Sequence, residues 1–314
     1  MIKKYIADFL EGELVSTPLL ISNVNKGVTS NGAPYLSITF TDKTGSIEGK
    51  LWDVKEEQIA VCKNGSVVLV DCDIFKYKNN LQAKVHRVST LSEGEYRLED
   101  FLVSSEIPNA TLKKGIFDTI GEIQNPILHE IVLKAVTDAG EDFFNYPAAS
   151  KNHHNYVGGL AEHVYGMLQV GKALCEIYPM LNRDILLSGI IVHDIGKLEE
   201  LSGNLVTEYT NSGKLLGHIS IMQARLLQIA TELKLEETEE VLLLRHMILS
   251  HHGEYEYGSP VLPMTPEAEV LNFIDNIDAR MNMLNRAMKE IKPGEFTSRI
   301  YSLDSRSFYK NKLK

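Results

Sequence analysis

One stretch restricts this chain more than any other: Ile190-Ile191-Val192-His193-Asp194-Ile195-Gly196-Lys197. An apolar run ends there in an imidazole beside a carboxylate, followed by a small residue and a lysine. Two polar groups closing an apolar run are costly unless satisfied or metal-bound. His163 lies thirty residues earlier; His218, the pair His251-His252, and Asp275 follow at helix-length intervals. Each sits on or at the end of a segment with helical periodicity. Four or five helices can therefore turn His163, His193, Asp194, His218, His251, His252 and Asp275 into one cavity. Imidazole beside carboxylate suits a hard-to-borderline divalent cation. A carboxylate can also bridge two cations, which would then stabilise both the attacking and the leaving oxygen of a phosphoryl transfer. Taken singly, a helical histidine is a surface group or a hydrogen-bonded core residue; the crowding between residues 153 and 252 favours a shared site.

The length of 314 residues suggests two domains. The charged N-terminus, MIKKYIADFLEGELV, is neither a signal peptide nor a membrane span. No run reaches about 18 apolar residues, so no transmembrane helix and no membrane partner are expected. Cys62, Cys72 and Cys175 lack CxxC spacing, which excludes a zinc ribbon and fits a reducing cytoplasm. The net charge of −10 is unevenly spread. Residues 1–90 carry +1 and residues 286–314 carry +5, while the middle carries −16. Cations at the proposed site would offset part of that acid, leaving both ends free to meet polyanions.

Residues 1–90 are predicted to hold a small β domain. Leu36, Ile38 and Phe40 alternate with polar residues. Thr41 to Gly45 is a turn, and Ile47 to Trp52 the return strand of a hairpin. Ser66 to Lys76 and Leu81 to Val88 add two strands around a Lys78-Asn79-Asn80 turn. With a first strand from Leu14 to Val24, five strands suit a barrel. The segment YLSITFTDKTGSIEGKLWD, followed by a long strand and a hairpin, resembles an OB-fold of the nucleic-acid-binding type. Such barrels hold single strands with basic residues and stacking aromatics. Candidates are Tyr35, Lys50, Trp52, Lys76, Tyr77, Lys78, Lys84 and Arg87. The competing reading makes Trp52 and Phe40 barrel core and the lysines solvated edge residues.

Residues 91–110 read as a linker, and residues 111–290 as an all-α domain with its core at about 160–280. Leu198 to Leu216 is expected to be irregular, and Gly217-His218 to open a helix. The glycine pair Gly158-Gly159 permits close backbone approach, either over a ligand or between packed elements. His246 is expected on a helix surface, and Asp278 behind the ligands or in solvent. Residues 291–314 form a basic, aromatic tail that could clamp substrate, mediate self-association or be disordered; Ile300, Tyr301, Leu303, Phe308 and Tyr309 are too apolar for a free tail and favour an ordered interface.

The order H…HD…H…HH…D, with the strings GGLAEHV, SGIIVHDIGKLEEL, LLGHI, LSHHGEYEYGSP and FIDNIDARM, resembles the HD superfamily of metal-dependent phosphohydrolases. An OB-like barrel ahead of such a domain, and the tail RIYSLDSRSFYK, resemble the bacterial YhaM-type 3′→5′ exoribonuclease family. The resemblance implies one ion held by His163, His193, Asp194 and Asp275. It implies a second held by Asp194, His218 and His251, with His252 beside it and Asp194 as the bridge. It further implies release of nucleoside 5′-monophosphates from the 3′ end of single-stranded RNA, with single-stranded DNA as a further substrate. Manganese is favoured, with iron and magnesium as alternatives.

Lys197, one helical turn beyond His193, could reach a phosphate oxygen; otherwise it is a solvated helix-end lysine. His153 or His154 could touch the substrate or protonate the leaving oxygen, or else hold the loop. Two other functions share these residues: a nucleotide or cyclic-nucleotide phosphohydrolase, and a nucleic-acid-binding regulator with an inactive HD site. Assembly into homo-oligomers stays open.

Overall fold

The computed structural model describes residues 4–313 apart from 30, 79, 93, 150–153, 155 and 204–206. It divides into two compact units, Met1–Ser104 and Ser105–Lys314. The first is a closed barrel of β1 (Leu14–Val28), β2 (Pro34–Asp42), β3 (Gly45–Trp52), β4 (Val67–Tyr77) and β5 (Asn80–Thr90). The strand order is β1-β2-β3-β5-β4, and only β3 and β5 pair in parallel. A short helix, α1 (Glu56–Val61), joins β3 to β4.

Period-two patterning fills the barrel: Leu36, Ile38, Phe40, Ile47, Leu51, Val68, Val70, Cys72, Ile74, Ala83 and Val85 are all buried. Strand β1 runs past Val24 because Asn25 to Val28 keep their pairing with Ser37 to Pro34, although those side chains are largely exposed. Backbone hydrogen bonds extend a strand beyond the point where its alternation fades. The expected turn holds: Asp42 Oδ1 accepts from Thr44 N at 2.7 Å, an Asx-type local bond.

The second unit is helical. Its elements are α2 (Asn109–Glu122), α3 (Pro126–Ala139), α4 (Asp142–Asn145), α5 (Gly159–Ile177), α6 (Arg183–Val192), α7 (Lys197–Glu200), α8 (Asn211–Leu233), α9 (Glu239–Ser250) and α10 (Pro266–Lys289). Helix α6 is the axis. Ile185 to Val192 are all buried, and the helix packs against α3, α5, α9 and α10. That is why its sequence is apolar all round rather than striped. Asn182 fixes its start by accepting from Ile185 N at 3.1 Å.

The described residues of 198–216, which leave out 204–206, are more regular than expected. Helix α7 occupies Lys197–Glu200, and α8 starts at Asn211, where Thr210 Oγ1 accepts from Gly213 N at 2.9 Å. This opening segment exposes Leu215 and Leu216, so it lacks the apolar stripe that would announce it. At Gly217, φ 71° and ψ 154° break the helix, which restarts at His218. Few residues other than glycine tolerate that φ.

Residues 291–313 fold back as an irregular hairpin with bridges Phe296↔Tyr309 and Ile300↔Arg306. No helix among the described residues is long and apolar enough to cross a membrane.

Candidate metal centre

Helices α6 and α9 end in the same device. His193 caps α6, and its Nδ1 bonds to Ile190 O at 2.8 Å. His251 caps α9, and its Nδ1 bonds to Ile248 O at 2.8 Å. Carbonyls in the last turn of a helix have no intrahelical partner, so each imidazole satisfies one and is oriented by it. The other histidines are held through the same nitrogen. His163 Nδ1 meets Asp278 Oδ2 at 2.7 Å, and His252 Nδ1 meets Tyr257 O at 2.7 Å. His218 Nδ1 meets Glu200 Oε1 at 3.0 Å, and the same oxygen accepts His218 N at 3.0 Å. The restart of α8 at His218 exposes that N–H. Fixing Nδ1 as the donor leaves Nε2 as the lone-pair nitrogen of His193, His218, His251 and His252; at His163, where carboxylates face both nitrogens, a cation would have to displace the Nε2 proton.

Asp194 lies at the centre, fully enclosed. Its Oδ2 is 3.3 Å from His193 Nε2 and 3.8 Å from His163 Nε2. Its Oδ1 is 3.5 Å from His218 Nε2 and 3.8 Å from His251 Nε2. Asp275 Oδ1 is 3.2 Å from His163 Nε2. Each carboxylate oxygen thus faces its own pair of imidazoles. Donors about 2.1 Å from a shared cation lie roughly 3.0–3.4 Å apart at octahedral or tetrahedral angles. Among the described residues, His193 Nε2, His218 Nε2, His251 Nε2 and Asp194 Oδ1 are buried without a hydrogen-bond partner. Buried polar atoms left so are rare and call for an explanation such as an ion. His252 joins His218 and His251 in one ligand-sized group. The donor set therefore fits divalent cations on both sides of Asp194.

Charge balance keeps the carboxylates ionised. Burial opposes ionisation of Asp194, yet Lys197, His193 and His218 hold its carboxyl well below the usual range. Asp275 behaves alike beside His163 and His193. Burial would lower His163, but Asp275 and Asp278 outweigh it and push the imidazole up to about 10. Burial pushes His251 and His252 down, keeping them neutral.

The two other predicted catalytic groups are placed differently from expectation. The Lys197 ammonium is neither solvated nor free in the cavity: it is buried and donates to Asp194 Oδ2 at 2.7 Å. His154 is held by hydrogen bonds at its ring. Its Nε2 meets Asp278 Oδ2 at 2.8 Å and its Nδ1 meets the Tyr156 hydroxyl at 2.9 Å. Both ring nitrogens are engaged, so the residue buttresses Asp278. His153 lies outside the described residues. The Gly158-Gly159 pair serves packing, since a Cβ on Gly159 would stand 2.0 Å from His154 O. His246 is half-buried rather than on the surface, with Nε2 accepting from Met264 N at 2.9 Å.

Sequence reasoning missed Glu200 behind His218, and Tyr156 and Asn282 behind His154. Asn282 accepts from His154 N at 3.0 Å and donates to the Tyr156 hydroxyl at 3.0 Å. Asp278 is fixed behind His163, one of the two places the sequence left for it.

On the barrel, Tyr35 and Trp52 pair across β2 and β3 with ring centroids 4.9 Å apart. The Lys50 ammonium stands 5.6 Å from both rings, and Lys50 pairs with Lys84 across β3 and β5. A groove is lined by Lys50, Trp52, Phe75, Ala83 and Lys84. Trp52 is 43% exposed whereas Phe40 is fully buried, so only Phe40 is core. Tyr77 shares the outward parity of Phe75, with Lys78 5.5 Å over its ring. Arg87 is exposed opposite Asp71. Lys76 departs from expectation: it has the parity of inward-facing Ile74 and pairs with Leu81, away from the groove. Phe75, absent from the candidates, takes its place.

Residues 160–280 match the HD domain family, and residues 10–91 match the OB-fold nucleic acid binding domain. Over 308 residues the chain is 47% identical to the 3′-5′ exoribonuclease YhaM of Geobacillus sp. (strain WCH70), covering 98% of this chain and 95% of that protein. The chain belongs to the YhaM family. The YhaM protein of Bacillus subtilis (strain 168) is 46% identical over 300 residues, 95% of each chain. That of Bacillus pumilus (strain SAFR-032) is 44% identical over 308 residues, 98% of each. A domain of replication protein A from Methanococcus maripaludis covers 28% of this chain and 93% of its own length, at 20% identity and a TM-score of 0.25. In this YhaM family member all seven ligand candidates fall inside the HD segment, while the His154 buttress lies just ahead of it.

Proposed function

We propose that this chain is a divalent-metal-dependent 3′→5′ exoribonuclease that trims single-stranded RNA to nucleoside 5′-monophosphates and also accepts single-stranded DNA. The observation that carries it is Asp194, a buried carboxylate whose two oxygens each face a pair of imidazole nitrogens. Polarity and RNA preference follow the relatives' name. In this reading residues 1–90 capture the strand, residues 91–110 link, and residues 111–290 hydrolyse. The reduced, buried Cys62 and Cys72 suit the cytoplasm.

His163, His193, Asp194 and Asp275 would hold one cation, and Asp194, His218, His251 and His252 the other. Manganese suits this imidazole-rich set better than magnesium. When bound, such ions neutralise phosphate oxygens and acidify water. The chain does the rest. Asp194 keeps both sides of the site in register. Lys197 adds a fixed positive charge at the carboxylate, where an incoming phosphodiester needs it. Asp278 and Glu200 set the tautomers of His163 and His218, and His154 with Tyr156 and Asn282 keeps Asp278 from swinging away. The groove at Lys50, Trp52, Phe75 and Lys84, with Tyr35, Tyr77, Lys78 and Arg87 around it, stacks bases and neutralises phosphates without reading sequence.

The test is degradation of a 5′-labelled single-stranded RNA with manganese, comparing wild type, an EDTA control and Asp194→Ala. A metal-dependent ladder shortening from the 3′ end, absent in the variant, is expected. RNA that binds but is never shortened under any metal would sink the proposal. Equal turnover of mononucleotides would point instead to a nucleotide phosphohydrolase.

A further inference from the structure

Residues 291–313 take no part in the chemistry above, yet they are built with care. Gly294 N bonds to Lys310 O at 2.7 Å, Thr297 N to Phe308 O at 2.9 Å, and Ile300 N to Arg306 O at 2.9 Å. The turn places Leu303 in full burial. Helix α10 anchors the segment. Lys310 Nζ donates to Met288 O at 2.6 Å and Ile291 O at 2.7 Å, satisfying carbonyls at the helix end. Ser302 Oγ contacts Met283 Sδ at 3.0 Å, and Arg280 pairs with Asp304 at 3.6 Å.

This held segment keeps its large rings in solvent: Tyr301 is 84% exposed, Phe296 65% and Tyr309 48%. Phe296 and Tyr309 pack ring against ring with centroids 5.1 Å apart and planes tilted by 50°, and the Arg306 guanidinium lies 5.2 Å over Phe308. Lys292, Arg299, Arg306 and Lys312 are exposed among them. The +5 of residues 286–314 stands against the −16 of the stretch between residues 90 and 286. An apolar protein partner needs no such cations. Rings interleaved with cations match a single-stranded polyanion, which offers a base to stack and a phosphate to pair at every step.

The support helix leads to the reaction. Asp275, Ala279 and Met283 follow one another at four-residue spacing along one flank of α10. Eight residues of helix span about 12 Å, and a stacked strand advances about 3.4 Å per nucleotide. The contact at Met283 thus lies roughly three or four nucleotides from the carboxylate Asp275. We propose that residues 291–313, on α10, form a second contact surface for single-stranded RNA, holding the strand just upstream of the scissile phosphodiester. This rests on the exoribonuclease reading above.

The test uses the full chain carrying Tyr301→Ala, and separately Phe296→Ala with Arg299→Ala. Steady-state constants on a 12-nucleotide RNA and on a dinucleotide are compared, and metal-free binding of the 12-mer is followed by fluorescence anisotropy. Loss of one stacked base costs about tenfold. KM and Kd for the 12-mer should therefore rise about that much, with the dinucleotide reaction within twofold of wild type. Unchanged 12-mer constants would overturn the proposal. So would equal losses on both substrates, which would make the segment a brace for α10. A change in sedimentation that accounts for the lost affinity would assign the surface to self-association instead. Because binding is read without metal, a wild type that binds RNA and cleaves nothing would refute the exoribonuclease reading while this proposal is still tested.

Discussion

The helical unit and the barrel carry their chemistry in opposite ways. The helical unit buries it: Asp194 and His193 have almost no solvent contact, and their unsatisfied atoms sit in ligand-sized groups with neighbouring imidazoles. The barrel exposes it: Trp52, Phe75 and Tyr77 present rings outward among lysines. A buried polar constellation works as a unit, because each member's alternative to its partner is an unsatisfied group in a dry site. An exposed face works by increments, because each side chain's alternative is water. Substitutions should thus be steep and cooperative in one unit, shallow and additive in the other.

The largest effect should come from Asp194→Asn. It keeps the shape but offers one oxygen instead of two, so the His163–His193 and His218–His251 pairs lose their common carboxylate. RNA hydrolysis should fall by about 10³-fold or more, the several kcal/mol that ion-assisted charge stabilisation supplies. Loss of less than tenfold would show that the two sides do not depend on the shared bridge.

Next in size is Asp278→Asn, which touches no cavity-facing atom. It replaces the carboxylate that holds His163 Nδ1 and the His154 ring with a neutral amide, which has one acceptor oxygen and no charge. Manganese affinity by calorimetry should drop 10- to 100-fold, as such outer partners typically require. The pH dependence has two opposite signs. His163 is raised from 6.5 to about 10 in the ion-free protein. Its ion pairs therefore stabilise the apo fold fully below 6.5 and are lost as pH rises through about 10. A cation needs the deprotonated nitrogen, so manganese affinity should climb over the window where the apo melting temperature falls. Melting and calorimetric titrations between pH 6.5 and 9 check both slopes, and parallel slopes would reject the assignment of His163 as a ligand.

The same contrast governs what the sequence reveals. The seven candidate ligands could be picked out because the His-Asp pair closes an apolar run with other histidines and an aspartate at helix-length intervals around it, and the fold brings those residues together in ligand-sized groups. Their supports were not. Glu200 and Asp278 read like any solvated acid of an acidic domain until the break at Gly217 and the turn of α10 bring them to an imidazole. His154 could not be assigned from the string, which left it between substrate contact and a loop-holding role; its ring is held at both nitrogens. The barrel was legible from alternation. Its face was legible only in part, since Ile74 and Phe75 are both apolar and the string hides which one is inside.

On the barrel, Trp52→Ala should raise KM for a long RNA about fivefold to tenfold, the worth of one stacking platform. Phe75→Ala, lining the same groove, should do nearly as much. The double variant should show the product of the two within about twofold, since exposed contacts of this kind are expected to be close to independent. A strongly cooperative loss would mean that the groove behaves like the buried centre and would erase the contrast.

Lys76→Ala is the finest probe. Composition ranks Lys76 with Lys50 and Lys84, all cations of one barrel. Strand parity separates them: Lys50 and Lys84 pair across β3 and β5 at the groove, whereas Lys76 pairs with Leu81 on the opposite parity. Lys50→Ala should weaken RNA binding and flatten its salt dependence by about one counterion. Lys76→Ala should leave both within twofold. Equal effects from the two lysines would mean that the barrel attracts RNA by total charge alone, and that the adjoining Tyr35 and Trp52 rings and their neighbouring groove do not define the path of the strand.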